Sequence, residues 1–143
     1  MGKPFTQIYL HLVWATWDRL PLITSTFENR LYACLREEIL RLGCETLALG
    51  GIEDHVHVLI QSPPTRCASE IVKQLKGSSS HFVNQEVSPL NGFKWQGYYG
   101  AFSVSRGDLT RVEEYVNNQK ERHTRGRLWD NAERTQYPDN ASE

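Results

Sequence analysis

Two pairs of side chains in this sequence have types and spacings suited to chemistry. The first lies in GGIEDHVHVLIQSPP, residues 50–64, where His55 and His57 sit one residue apart in an aliphatic run. Side chains alternate across a strand. His55, His57 and Leu59 therefore share one face, and Val56, Val58 and Ile60 share the other. Two imidazoles so placed are close enough to ligate one metal ion or to act on one substrate. Taken alone, the motif reads more plainly as two partly exposed strand histidines. The second pair lies in DLTRVEEYVNNQKERH, where Tyr115 and Gln119 are four residues apart. On a helix they lie one above the other, beside the buried stripe of Leu109, Val112 and Val116. Gln119 could give an oxygen ligand to a divalent cation, and Tyr115 a nucleophilic oxygen. The bland alternative is a boundary tyrosine and a solvated amide.

The elements that must position these residues follow from periodicity and punctuation. FTQIYLHLVWATW, residues 5–17, is rich in β-branched and aromatic residues and predicts a first strand. Ser25 with Glu28 is a capping-box signal for a helix whose apolar positions run from Phe27 to Leu42, with Gly43 as its stop. CETLALGGI predicts a second strand, and DHVHVLIQ a third that Pro63 and Pro64 end. A second helix is expected from about Cys67 to Asn84. Its middle, KGSSS, has poor helix propensity and marks either a kink or a place where backbone meets a ligand. A fourth strand is expected at about Tyr98 to Ser105, and a third helix from Leu109 to Arg122 with Asp108 as N-cap. The order β-α-β-β-α-β-α begins as a split βαβ, ferredoxin-like pattern. The fold class is therefore α+β: a four-stranded antiparallel sheet, two helices on one face, and an additional C-terminal helix carrying the tyrosine. The valine and isoleucine face of the third strand suits packing on helices, so the histidine face should be the open one.

Composition sets wide bounds. A chain of 143 residues with 39% hydrophobic residues can bury one core without a disulfide or structural metal. Cys34, Cys44 and Cys67 form no CxxC pair and read as reduced thiols of a cytosolic protein. No apolar run is long enough to span a bilayer, and the N-terminus has no signal-peptide pattern. The net charge is −1, but residues 128–143 hold Asp130, Glu133, Asp139 and Glu143 against Arg134. The rest of the chain is weakly basic, which neither requires nor excludes nucleic acid. The expected division is a domain over 1–126 and a polar, acidic, loosely ordered tail over 127–143.

Together, DHVHVLI, LKGSSS, WQGYYGAFSVS and VEEYVNNQ closely resemble the small single-tyrosine transposases of the insertion sequence 200/605 family, which are HUH (histidine-hydrophobe-histidine) nucleases. The resemblance runs from about Phe5 to Arg122, with the four motifs in family order. It implies that His55, His57 and Gln119 bind a divalent metal, Mg²⁺ or Mn²⁺, and that Tyr115 is the catalytic nucleophile. It implies a metal-dependent DNA transposase that nicks and rejoins single-stranded DNA at hairpin-marked ends through a 5′-phosphotyrosine link. It also implies an obligate homodimer with sites shared between subunits, and a cytoplasmic, nucleoid-associated location in a bacterial or archaeal cell. Imidazole with one amide oxygen is softer than Mg²⁺ prefers, so Mn²⁺ should bind at least as well.

The remaining polar residues are read more plainly. Asp54 adjoins the histidines but points to the opposite face of a regular strand, so it is not expected to orient them. His11 and His81 read as surface or packed histidines, and His123 as solvated. Single strands are held by cations along the backbone and aromatics under bases. Lys73, Lys76 and Ser78 form one candidate DNA surface. Lys94, Trp95 and Arg106 form another, which Arg111, Arg122, Arg125 and Arg127 could extend. Solvated charges and a core tryptophan are the alternatives. Two rival functions remain. One is a non-catalytic hairpin-binding module, as four-stranded ferredoxin-like sheets also bind single-stranded RNA. The other is an HxHxH nucleotide hydrolase, whose third position is here Leu59.

Overall fold

The structure is a computed structural model, and it describes residues 2–137. Asp139 and Glu143 of the acidic tail lie outside the described residues. The elements are β1 (Ile8–Ala15), α1 (Glu28–Arg41), β2 (Glu45–Ile52), β3 (His55–Ser62), α2 (Ala68–Phe82), β4 (Gly100–Val104), α3 (Leu109–Asn117) and α4 (Gln119–Arg125). A short 3-10 helix, Asp130–Glu133, follows α4. The four strands form one sheet in the order β2-β3-β1-β4, antiparallel throughout. The split βαβ order expected from the sequence is therefore present, with Tyr115 on the added helix α3.

The sheet separates two kinds of packing. Leu12 and Trp14 of β1 and Val56, Val58 and Ile60 of β3 point toward α1 and α2. There they meet Leu31, Leu35, Ile39, Ile71 and Leu75 in the main core. The opposite face carries His55 and His57 together with their cross-strand partners Ala15, Val13, Ile52 and Gly50. This face is not open. Helix α3 crosses it and packs Val112 and Val116 on Ala48 and Leu59. Gly50 permits that approach, because a Cβ there would fall 2.1 Å from the Val116 carbonyl oxygen. At the other edge the chain after α4 runs over β4. A Cβ on Gly100 would fall 1.9 Å from the carbonyl oxygen of Arg134. The expected loose order after Gly126 does not extend to Trp129 and Glu133, whose side chains meet Tyr115 and the histidine pair.

Four local expectations meet different outcomes. The Ser25–Glu28 capping box does not form. Helix α1 starts at Glu28 behind Phe27, and the Phe27 and Glu28 N–H groups donate to the Thr24 carbonyl at 3.2 and 3.0 Å. Phe27 is buried, edge-on to Phe93, so core packing sets this helix start. The serines of α2 do not break it. Ser79 donates to the Leu75 carbonyl at 2.6 Å, Ser80 donates to that of Gly77 at 3.3 Å, and the helix runs on into a π-helical turn. The third helix is divided at Asn118 (φ −108°, ψ 28°), where two successive asparagines offer little helix propensity. Asp108 stands at the N-cap of α3, but its carboxylate accepts from Ser105 and caps no backbone N–H.

Candidate active site

His55 and His57 are almost completely buried, at 1% and 0% exposure. The strand places both rings on the α3 side, with centroids 5.0 Å apart. Each ring is held through Nδ1. His55 Nδ1 lies 2.7 Å from Asp54 Oδ1, and His57 Nδ1 lies 2.8 Å from His11 Nε2. Asp54 was expected to point away. It precedes the first residue of β3, in the turn, so strand alternation does not apply to it. His11 was expected to be an ordinary histidine. It pairs with Leu59, which makes it a diagonal neighbour of His57 on the same face, and it is 3% exposed.

The Nε2 atoms of both histidines converge on Glu133. His55 Nε2 is 3.1 Å from Oε1, and His57 Nε2 is 3.1 Å from Oε2. The Tyr115 hydroxyl donates to the same carboxylate and accepts the Trp129 backbone N–H at 3.1 Å. Tyr115 is fully buried, edge-on to His57 with centroids 5.7 Å apart. Trp129 covers its other side. The two rings stack at 4.1 Å with planes inclined by 14°. Arg122 lies 4.9 Å from the tyrosine ring centre and 5.3 Å from that of Trp129. One chain thus brings Tyr115 to the histidine pair.

Gln119, at 1% exposure, opens α4 beside this cluster. Its Nε2 donates to the Tyr115 carbonyl at 3.0 Å, and its Oε1 lies 3.0 Å from His123 Nε2. The His123 ring is 4.7 Å from that of His55, and its Nε2 is 3.5 Å from Glu133 Oε1. Gln119 is therefore inside the site, and its oxygen faces His123. Neither Gln119 nor His123 is a solvated surface residue.

The charges respond to this packing. Burial works against a charge on His55, but the Asp54 and Glu133 carboxylates outweigh it and raise its pKa to about 9. Burial dominates for His57, which is held below the usual imidazole value despite Glu133. Burial, with the neighbouring His57, lowers His11 to about 3. Burial also opposes ionisation of Glu133. The neighbouring His55 and His57 imidazoles overcome it and hold the carboxyl well below the usual carboxylate range. Burial and the Glu133 hydrogen bond push the Tyr115 phenol up to about 12.

This donor set fits a divalent cation. His55, His57 and Glu133 each offer one ligand atom, all within 4.8 Å of one another. His55 Nε2 is buried without an aligned hydrogen-bond partner, although a carboxylate oxygen is 3.1 Å away. With Nδ1 protonated toward Asp54, neutral His55 turns a lone pair toward that oxygen. A cation between the two would satisfy both. A carboxylate oxygen also makes the site harder than two imidazoles and an amide, which suits Mg²⁺ or Mn²⁺.

Of the residues expected to touch DNA, Arg122 and Arg111 stand beside the Tyr115–Trp129 pair, whereas those on α2 lie apart from this centre. Lys73, Lys76 and Ser78 are on α2, across the sheet from the histidines. Lys73 is exposed, Lys76 donates to the Gln96 carbonyl, and Ser78 lies 3.4 Å from Glu38. Trp95 is 6% exposed, edge-on to Trp14 and Phe93, and its indole N–H donates to Ser79 at 2.9 Å. Its ring is core and offers no face to a base. Lys94 lies over the half-exposed Trp17 ring at 3.9 Å, and Arg106 is exposed.

Sequence reasoning missed Glu133, His11, Asp54 and Trp129. Glu133 and Trp129 stand in a polar stretch without periodicity, and their signal is only their position after the tyrosine helix. His11 could have been found by counting strand registers, because β1 alternates Tyr9, His11, Val13 on one face.

Comparison with known proteins agrees with this architecture. The family model described as "Transposase IS200 like" matches residues 4–119 and so ends on Gln119. The ISDra2 transposase TnpA of Deinococcus radiodurans is 25% identical over 121 residues, covering 81% of this chain and 86% of that protein. The crystal structure of a transposase candidate from Deinococcus radiodurans R1 superposes with a TM-score of 0.64 and 27% identity, covering 83% of this chain and 96% of that one. The structure of a REP-associated tyrosine transposase bound to a REP hairpin shares the fold, with a TM-score of 0.63 at 12% identity over 90% of this chain and 74% of that one. The family match spans most of the chain, from the residues before β1 to Gln119 of the site, and this chain belongs to the IS200-like transposase family.

Proposed function

We propose that this chain nicks and rejoins single-stranded DNA at hairpin-marked ends, with Tyr115 as nucleophile. The observation that carries the reading is the convergence of three groups on one point. The Tyr115 hydroxyl and the Nε2 atoms of His55 and His57 all address the Glu133 carboxylate. A scissile phosphate and a cation brought to that point would meet nucleophile and ligands together.

In this reading His55, His57 and Glu133 hold Mg²⁺ or Mn²⁺, with Gln119 as a further oxygen donor once its amide turns from His123. The bound ion would polarise the phosphate and offset the charge that develops in the transition state. Tyr115 attacks phosphorus, the P–O3′ bond breaks, and the leaving 3′ oxygen takes up a proton while the tyrosine gives one up. The phosphotyrosine link retains the energy of the broken ester, so a second 3′-hydroxyl can reverse the step without a nucleotide cofactor. Burial keeps Tyr115 protonated until substrate arrives. Asp54 and His11 hold the two imidazoles, Arg122 places positive charge beside the tyrosine, and Arg111 places it on the Trp129 ring that covers the tyrosine.

Residues 1–126 form the catalytic domain in this reading, and the segment from 127 is its cover. Trp129 must lift from Tyr115 before a phosphate can reach the hydroxyl. The path of the DNA then runs over Arg111 and Arg122, while Lys73, Lys94 and Arg106 are candidates for backbone contacts farther along a hairpin. A homodimer with exchanged α3 and α4 would build the same site from two chains. The proximity of Tyr115 and His57 in one chain favours catalysis in cis. Mixing Tyr115→Phe with a His55→Ala, His57→Ala double variant tests this, because only shared sites would restore nicking. A DNA substrate places the protein with the chromosome in the cytoplasm.

One observation favours a second reading, a hairpin-binding module without cleavage. Tyr115 is fully buried under Trp129 and bonded to Glu133. Incubation with labelled single-stranded hairpins and Mn²⁺ separates the two. A covalent protein–DNA species lost in Tyr115→Phe supports the nuclease. Binding with no covalent species, in the wild type and in Trp129→Ala alike, supports the module.

A further inference from the structure

His55 and His57 are held by outer partners of different kinds. Asp54 Oδ1, 2.7 Å from His55 Nδ1, can only accept a hydrogen bond once ionised. Once the ring gives up one proton, Asp54 therefore holds neutral His55 in one tautomer, with the remaining proton on Nδ1 and Nε2 able to ligate. His11 Nε2, 2.8 Å from His57 Nδ1, can donate or accept. Both members of this pair are buried, at 3% and 0% exposure, and their rings stack with centroids 5.1 Å apart. Only one proton can lie between the two nitrogens. Its side is set by what faces the far nitrogen of His57.

That far nitrogen, Nε2, lies 3.1 Å from Glu133 Oε2. Without a cation, the carboxylate is best met by an N–H on Nε2. His57 Nδ1 is then an acceptor, and His11 donates from Nε2. With a cation on Nε2, the His57 proton must sit on Nδ1. His11 Nε2 must then accept, and its own proton moves to Nδ1. Neither arrangement leaves the bond between the rings unmade. An aliphatic residue at position 11 would leave His57 Nδ1 buried and unpaired in both states, which is costly.

We propose that His11 is a positioning residue for His57: it holds the ring with Nε2 toward the cation and exchanges donor for acceptor roles when the cation binds. The inference rests on the metal-dependent reading of the site given above. A metal-ligating imidazole generally has its second nitrogen held by an outer partner, and loss of that partner lowers metal affinity by roughly 10- to 100-fold.

The test uses the full chain and Mn²⁺ alone, read by the electron paramagnetic resonance of the free ion, with no DNA and no activity measurement. His11→Leu should weaken binding by roughly 10-fold or more. His11→Gln, whose amide can offer either an N–H or an oxygen, should stay within about threefold of wild type. A second readout on the unmutated protein is the ¹⁵N spectrum of the imidazoles with and without Mg²⁺. The His11 proton should move from Nε2 to Nδ1 as the ion binds, while His55 keeps its proton on Nδ1. If His11→Leu fails to fold, this spectrum decides alone. Wild-type affinity in a folded His11→Leu, or no tautomer change at His11 on saturation, overturns the proposal and leaves the metal reading standing. Failure of the wild type to bind Mn²⁺, together with an imidazole spectrum unchanged by Mg²⁺, overturns both.

Discussion

The ring of Trp129 lies flat on the ring of Tyr115, 4.1 Å between centroids, and its backbone N–H donates to the Tyr115 hydroxyl at 3.1 Å. A residue beyond the family match thus covers the side chain best placed to act as nucleophile. Trp129→Ala should uncover it. A stacked aromatic pair contributes about 1 kcal/mol beyond its buried area, so the variant should stay folded with a melting point lowered by a few degrees. Nitration of Tyr115 by tetranitromethane, mapped by mass spectrometry, should be faster than in the wild type. Covalent capture of a hairpin oligonucleotide should also rise. Unchanged nitration would show that Trp129 does not control access.

Glu133→Gln should change the protein in two ways. It removes the carboxylate that helps hold the Tyr115 phenol at about 12, so the ultraviolet titration of tyrosinate should begin at lower pH. It also removes a depressed carboxyl. A group whose folded pKa is depressed contributes stability above its unfolded value, here about 4.5, and that contribution is lost as the pH falls toward the folded value. The wild type should therefore lose stability on acidification below pH 4.5 more steeply than Glu133→Gln, as read by urea unfolding at several pH values.

His55 acts in the opposite direction. Its folded pKa of about 9 exceeds the ordinary 6.5, so without metal its contribution to stability is full below 6.5 and is lost as the pH rises through 9. The same proton competes with a cation. Mn²⁺ affinity should increase across this interval, and binding should release protons that calorimetry in buffers of different ionisation enthalpy can count. His55→Ala should flatten the dependence. An affinity independent of pH from 6.5 to 9 would remove His55 from the ligand set.

Arg111 and Lys73 are both exposed, but only Arg111 stands over Trp129, at 5.0 Å from its ring centre. Arg111→Ala should weaken hairpin binding and reduce the slope of log affinity against log salt by about 0.7, the value for one phosphate contact on a single strand. Lys73→Ala should leave nicking unchanged and alter binding only for hairpins long enough to reach α2. Fluorescence anisotropy over a salt series measures both. Equal effects of the two substitutions on a short hairpin would contradict a DNA path on the histidine face.

Most of the fold was legible because its signals are local. Alternation in IYLHLVWA and HVHVLIQS, the apolar spacing of α1 and the Pro63–Pro64 stop specify elements without knowledge of their partners. The histidine pair and Tyr115 were legible for the same reason, since each pair is defined by spacing within one element. The rest depends on relations between elements. Which strand face is covered follows from Gly50 and Gly100, whose missing side chains admit α3 and the Arg134 backbone. Nothing in the local sequence distinguishes them from turn glycines. The partnership of His11 with His57 needs the β1–β3 register. Asp54 was misjudged because strand alternation was extended one residue ahead of the start of β3. Trp95 was ambiguous in sequence because an aromatic near lysines suits a stacking platform and a core equally; burial against Trp14 and Phe93 decides for the core. Glu133 was hidden by the acidic composition around it.

The central claim is that Tyr115 attacks a DNA phosphate at the His55–His57 pair. The direct measurement is a denaturing gel of 5′- and 3′-labelled single-stranded hairpins incubated with Mn²⁺ and wild-type, Trp129→Ala or Tyr115→Phe protein. A metal-dependent species is expected in which protein is joined to the 5′ phosphate of the downstream fragment and so carries the 3′ label, stronger in Trp129→Ala and absent in Tyr115→Phe. Persistence of that species in Tyr115→Phe, or cleavage that leaves no protein on the DNA, would contradict the claim.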